Sequence, residues 1–194
     1  MAQRLILARH ASTGASGRYI GASDLPLDEE GRRQAQALGQ AVARRAVGRC
    51  LCSPLLRARQ TAELAALAFE VDSDLREIDF GRWEGKAFDE IRRDYPEAVD
   101  HWASFAPDFA FPGGERLGDF HERIHRVAHR IAEGDADTVL AVTHGGVILA
   151  LICHLLGLKP EKYVQFKVGN ASLTTIELFD GKGVLSELNN CAHL

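Results

Sequence analysis

Long apolar runs are missing from this chain: nowhere do apolar side chains continue for the roughly 18 positions that a membrane helix needs. The opening MAQRLILARH holds only a short apolar core, too brief for a secretory signal, so a cytoplasmic setting is expected. Positive charge is also scarce. Lys and Arg total 23 against 27 Asp and Glu, a formal net charge of −4 at pH 7, which argues against nucleic acid as a partner. Cysteine is sparse too: Cys50, Cys52, Cys153 and Cys191 fall in no disulfide framework, and Cys50-Leu51-Cys52 is not a zinc clip. They read as small buried hydrophobes of a reduced compartment. No internal repeat, linker or low-complexity tract divides the 194 residues, which are most simply one domain, 1–194, that hides roughly 70% of its unfolded surface. The chemistry expected of such a chain is directed at a small molecule, with no membrane partner.

Short apolar runs alternate with helical patterns in the first and last thirds of the sequence. That alternation predicts an α/β fold with a parallel sheet covered by helices. Leu5 to Ala8, Arg49 to Cys52 and Thr138 to Val142 read as strands. Asp28 is placed to cap a helix whose Ala35, Leu38, Gly39 and Val42 recur at helical spacing. Ser53-Pro54 supplies the start of another, through LLRARQTAELAALAF, and VILALICHLL is a helix apolar nearly all round. Two short helices are expected around Pro96 and a longer one over 117–132. The last strands are read in YVQFKV, SLTTIELF and GVLSEL, with turns at Gly169-Asn170 and Asp180-Gly181.

In open parallel sheets ligands bind beyond the carboxyl ends of the strands. Arg9-His10 follows the first strand, Ser53 to Arg57 the second, and His144-Gly145-Gly146 the third. Two imidazoles and two guanidiniums on one rim make a cationic pocket in an acidic protein, and its natural guest is a phosphate dianion. The glycine pair lets such a guest approach the backbone.

Several segments then follow in a telling order: ARHAST, GRYIGASDLPLDEEGRRQAQAL, SPLLRARQTAE, LREIDFGRWEG, FPGGE and VTHGGVI. Together they resemble the histidine phosphatase superfamily over nearly the whole chain. The resemblance implies a three-layer α/β/α sandwich with a mostly parallel central sheet, the phosphoglycerate mutase-like fold. It implies a phosphomonoester hydrolase in which His10 is the transiently phosphorylated nucleophile, Arg9 and Arg57 clamp the phosphate, His144 is the second histidine and Glu77 the proton donor. No metal or other cofactor enters that scheme. The chemistry agrees, since phosphoryl transfer asks of a protein mainly in-line placement and charge stabilisation. Neighbouring guanidiniums favour a neutral His10, whereas His144 is expected to be protonated once the dianion is bound. Leu75, Ile78 and Phe80 flank Glu77 with apolar surface.

Three positions depart from the family pattern. Ala11 stands where glycine is usual, so its methyl group is expected to bear on the room left for phosphate. Ser12 and Ser16 stand where Glu and Asn are frequent, leaving Thr13 or Ser16 to supply a phosphate hydrogen bond, with Gly145 as a further phosphate contact. FGRWEGK and FPGGE look most like the α-ribazole phosphate phosphatase branch, which serves cobalamin biosynthesis. A 2,3-bisphosphoglycerate-dependent mutase is the alternative within the family. The mutases carry a longer insert with an arginine pair, whereas PGGERLGD here offers only Arg116, which favours hydrolysis of a small phosphorylated metabolite.

Two readings of other classes compete. A phosphate-binding module without turnover is one, although every group that the chemistry requires is present. The other takes His121-Glu122-Arg123-Ile124-His125 as an H-E-x-x-H zinc site. At about 100° per residue Phe120, Ile124, Val127 and Ile131 share one helical face, while His121, His125 and His129 point roughly 80° to 160° away, outward among arginines. Activity is therefore expected to survive a strong chelator. Loss of turnover on chelation, restored by zinc alone, would favour the zinc site.

Overall fold

The computed structural model describes residues 3–179 and 182–194. Its sheet has six strands: β1 (Gln3–Arg9), β2 (Arg49–Cys52), β3 (Glu70–Val71), β4 (Thr138–Thr143), β5 (Leu173–Phe179) and β6 (Lys182–Asn190). They lie in the order β3-β2-β4-β1-β5-β6. The first four strands of that order run parallel; β5 returns antiparallel to β1, and β6 antiparallel to β5. The helices are α1 (Glu29–Val42), α2 (Leu56–Leu64), α3 (Phe88–Asp94), α4 (Pro96–Ala103), α5 (Leu117–Ala132) and α6 (Gly145–Leu155). Among the described residues no helix is long and apolar enough to cross a membrane.

Strand alternation sorts the core into two layers. Leu5 and Leu7 of β1 face one cluster with Ile124, Val127, Ile148 and Leu151 of α5 and α6. Ile6 and Ala8 face the other, with Leu38 of α1 and Ala58 and Ala62 of α2. The expected three layers follow from this partition. Asp28 caps α1 as its position predicts, its Oδ1 accepting the Gly31 N–H at 2.6 Å.

Several local expectations give way to tertiary context. YVQFKV is no strand: Pro160–Gln165 forms a 3-10 turn, with Pro160 preset for its first position. β3 is too short for periodicity to announce it and exists by pairing with Leu51 and Cys52 of β2. Ser53 does not cap α2, whose N-cap is Leu55; its hydroxyl accepts the Leu55 N–H at 3.3 Å, one step ahead of the helix, and also meets His144. Cys50, Cys52 and Cys153 are buried as expected, but Cys191 is only half-buried; all four are free. Burial pushes the Cys50 and Cys52 thiols up to about 12, which leaves them inert. The Asp180-Gly181 turn lies outside the described residues.

Between α2 and α5 the chain has little regular structure and is organised by rings. Trp83 is fully buried and meets Phe111 at 5.1 Å, Trp102 at 5.8 Å and Tyr19 at 6.0 Å, each edge to face. Edge-to-face pairs add to what burial of the ring area contributes. Gly81 opens the turn that carries Trp83. Its φ of 53° lies in the left-handed region, and a Cβ there would collide with the backbone of Pro112 to Gly114. Trp83→Ala is expected to lower unfolding stability by about 3–5 kcal/mol in urea titration, the cost of a large buried void. A loss within the range of a surface substitution would show that this aromatic cluster does not hold the segment.

Candidate active site

Parallel pairing delivers three chain crossings to one edge of the sheet. Arg9 lies beside Thr143, and Cys52 beside Val142, so the residues that follow each strand emerge together. His10 N–H donates to Thr143 O at 2.8 Å, and Ser53 N–H to Val142 O at 3.0 Å. The His10 and His144 rings consequently lie 5.2 Å apart, centre to centre. Arg57 enters from the first turn of α2 and is completely buried.

The hydrogen bonds assign the tautomer of His10. Its Nδ1 lies 2.8 Å from the Ala11 carbonyl, which can only accept, so Nδ1 carries the proton and Nε2 presents its lone pair. Burial, then the charges of Arg57 and Arg9, hold the imidazole well below its usual value of 6.5. His144 is held down likewise, by burial first and then by His10, Arg57 and Arg9. Both rings are therefore neutral in the free protein. The protonated His144 expected beside a dianion would need that added negative charge.

Each cation is anchored through part of its fork and leaves another part uncommitted. Arg57 donates from Nη1 to Ser23 O and from Nη2 to Gly21 O, both at 2.8 Å, and its buried Nε has no partner. Arg9 donates from Nη1 to Val168 O at 2.8 Å; its Nε is likewise buried and unpartnered. His144 shares a 2.6 Å hydrogen bond with Ser53 through Nε2, and its Nδ1 is the third such atom. Burial lowers both guanidiniums from their ordinary range, and the nearby Glu77 carboxylate opposes that effect.

Glu77 is buried against the N-terminus of α6. Its Oε2 accepts the Gly146 N–H at 2.9 Å and its Oε1 the Ile78 N–H at 3.1 Å. A helix N-terminus offers both free N–H groups and a favourable dipole to a carboxylate. Gly146 leaves room for this contact, since a Cβ there would stand 2.5 Å from Glu77 Oε1 and displace the carboxylate. Gly145 is less constrained: its Cβ would make only ordinary contact, 3.5 Å, with the Arg9 guanidinium.

The six residues His10, Arg9, Arg57, His144, Glu77 and Gly145 are thus brought to one place. Ser16 is exposed and Thr13 half-buried, without a polar side-chain contact that would orient either toward His10. The Ala11 methyl does not contest the phosphate end in the way expected, because it is fully buried in a small cluster with Leu27, Ala35 and Ala171. Gly146 and Ser53 acquire roles that their sequence positions only hint at, one as the second glycine of THGG and the other as the serine that ends β2. Glu84 acts similarly on the facing loop, its carboxylate accepting from Gly21 N–H at 3.0 Å, Ala22 N–H at 2.9 Å and Ser23 Oγ at 2.6 Å.

The HERIH stretch lies on α5 as predicted, with Phe120, Ile124, Val127 and Ile131 buried. Two details differ from the outward-facing pattern. His121 is half-buried on a cavity wall, and Arg123 is buried. His125 lies against His154 at 4.7 Å, and among the described residues no group of three or more His, Cys, Asp or Glu is arranged to hold a metal.

A cavity of about 890 Å3 opens from Arg9, Glu77 and Gly146. Its far walls are chiefly apolar and aromatic, including Trp102, Phe105, Phe111, Tyr163 and Phe166.

The chain is similar to known proteins over nearly its whole length. A model of the histidine phosphatase superfamily (branch 1) matches residues 5–191. Phosphoserine phosphatase 1 of Hydrogenobacter thermophilus is 32% identical, the match spanning 98% of this chain and 94% of that protein. The adenosylcobalamin/alpha-ribazole phosphatase of Salmonella typhimurium is 32% identical over 97% of each chain. The solved alpha-ribazole phosphatase from Shigella flexneri superimposes with a TM-score of 0.86 at 30% identity, covering 97% of this chain and 96% of that one.

The neutral histidines have a thermodynamic signature. Above pH 6.5 the folded and unfolded chains both keep these rings uncharged; below it the unfolded chain takes up protons that the folded one refuses, so stability falls with pH. The drop in urea midpoint between pH 7 and about 5 is expected to be smaller in His10→Asn than in the native protein. Equal drops would contradict a depressed His10.

Proposed function

The chain belongs to the histidine phosphatase superfamily, and from that premise we propose that it hydrolyses phosphomonoesters of small metabolites through a phosphohistidine at His10. One observation carries the reading. Three buried and uncommitted nitrogens, on Arg9, Arg57 and His144, accompany an imidazole whose Nδ1 is tied back so that Nε2 is free to attack. Such a set matches the non-bridging oxygens of a transferring phosphoryl group.

In the first step Nε2 of His10 attacks phosphorus in line with the ester oxygen. The P–O bond breaks, and the departing alkoxide takes the proton of the Glu77 carboxyl. In the second step water attacks the phosphorus, Glu77 now accepts its proton, the P–N bond breaks, and inorganic phosphate leaves with the alcohol. Arg9, Arg57 and protonated His144 stabilise the negative charge in both steps, so the scheme calls on no metal ion.

Hydrolysis is favoured over the mutase reaction by the fate of Arg116, which sits on the surface paired with Asp119 at 2.6 Å instead of adding a cation to the cavity. The aromatic far walls suit an alcohol carrying a large apolar ring, the description of α-ribazole 5′-phosphate. Phosphoserine is the second reading, favoured by Lys167 on the cavity wall as a counter-charge for a carboxylate.

A panel of phosphate monoesters tests the substrate, with kcat/KM for α-ribazole 5′-phosphate expected to exceed that for phosphoserine by about tenfold or more. The reverse order would assign the cavity to the amino acid. Rapid quenching with radiolabelled ester should trap acid-labile label on the native protein and none on His10→Ala. Glu77→Gln should lower kcat/KM, which reports the first step alone, by about 100-fold or more for alkyl phosphates and spare it for p-nitrophenyl phosphate, whose leaving group needs no proton. Equal losses on both esters would remove Glu77 from the role of acid.

A further inference from the structure

Glu77 lies on a stretch with no regular structure, between the 3-10 turns Ser73–Leu75 and Gly81–Trp83. A proton donor must be placed to within a few tenths of an ångström, so something other than a helix or strand has to hold this backbone. Its carboxylate is tied to Gly146, but that contact restrains only the tip of the side chain.

The backbone on both sides of Glu77 is gripped by one buried ion pair. Arg123 of α5, with 1% of its surface exposed, donates from Nη1 to Asp74 O at 2.8 Å and to Arg76 O at 2.6 Å, the residue immediately before Glu77. Its Nε and Nη2 form a fork onto Glu115, at 2.7 Å and 2.9 Å. Glu115 in turn accepts the Asp79 N–H through Oε2 at 3.3 Å, and its own N–H donates to Asp79 O at 2.9 Å. The guanidinium also lies 4.7 Å over the Phe120 ring. The amino flank of Glu77 is therefore held by Arg123, the carboxyl flank by Glu115, and the two holders by each other.

Charges are expensive to bury, and replacing a buried pair with apolar residues is often neutral or stabilising, so stability alone is a poor account of this one. The exposed bridges from the same helix, Arg126 to Asp74 and Arg130 to Asp72 and Asp74, reinforce the same loop but are of the kind that contributes little singly. We propose that Arg123 and Glu115 are positioning residues that set Glu77 against the ester oxygen, two side chains off the cavity wall that serve proton transfer without touching substrate. Lysine cannot replace Arg123, since one ammonium group has no planar fork to span Glu115 and two carbonyls together. The proposal rests on Glu77 being the acid.

The test measures kcat/KM for an alkyl phosphate and for p-nitrophenyl phosphate in Arg123→Met, Arg123→Lys and Glu115→Gln, each alone and combined with Glu77→Gln. Expected is a loss of about 10- to 100-fold on the alkyl ester with the aryl ester within about threefold, smaller for Glu115→Gln, and vanishing in the Glu77→Gln background. Inhibition by inorganic phosphate should be unchanged, because Arg9, Arg57 and His144 are untouched. Should Arg123→Met fail to fold, Glu115→Gln alone decides by the same ratio. Equal losses on the two esters, or losses that persist in the Glu77→Gln background, would overturn the proposal as a merely structural effect. If Glu77→Gln by itself discriminates between esters and the Arg123 and Glu115 variants do not, the brace fails while the acid stands; if Glu77→Gln does not discriminate, the acid assignment fails and the brace with it.

Discussion

Positive charge buried beside a neutral imidazole is the constraint on which this molecule depends. Arg57 is wholly inside the protein, answered by the carbonyls of Gly21 and Ser23 and, at longer range, by Glu77. Carbonyl dipoles satisfy N–H groups but do not cancel a charge, so the rim keeps a positive potential that suits a dianion and repels a proton from His10. In the proposed reaction one arrangement thus serves both to bind the anion and to keep His10 unprotonated. A guanidinium serves both purposes because part of its fork holds the scaffold while the rest stays available.

The surrounding loops are held by side chains with the opposite logic, each polar group satisfied by backbone. Glu84 collects the N–H groups of the segment that Arg57 holds by its carbonyls, and Arg123 with Glu115 does the same for the segment that carries Glu77. Buried networks of this kind hold a unique geometry only when every member is paired. Arg9 and His10 follow a strand terminus, whereas the far cavity wall draws on loops and on helices α4, α5 and α6, so in the proposed reaction one end can stay constant while the other is reshaped for different esters.

Much of this was legible in the residue order. Apolar periodicity locates β1, β2, β4 and the four longer helices, and their alternation places Arg9, His10, Arg57 and His144 on one rim. Glu77 needed the family resemblance, because an acid in an aperiodic segment has no local signature. The same lack of periodicity hid the two-residue β3, and let YVQFKV pass for a strand where Pro160 starts a 3-10 turn. Helical phase places Arg123 beside the apolar face of α5 but cannot show what waits opposite.

What the sequence by itself determined is which residues are apolar at which period, and therefore the layers, the strand ends and the chemistry gathered there. The tertiary structure alone decided which ring nitrogen of His10 is free, which carbonyls occupy the guanidiniums, and what lines the far wall of the cavity. The physical reason is separation along the chain: Glu77 and the Gly146 N–H that holds it are 69 residues apart, and a hydrogen bond over that distance exists only once packing has chosen both its partners.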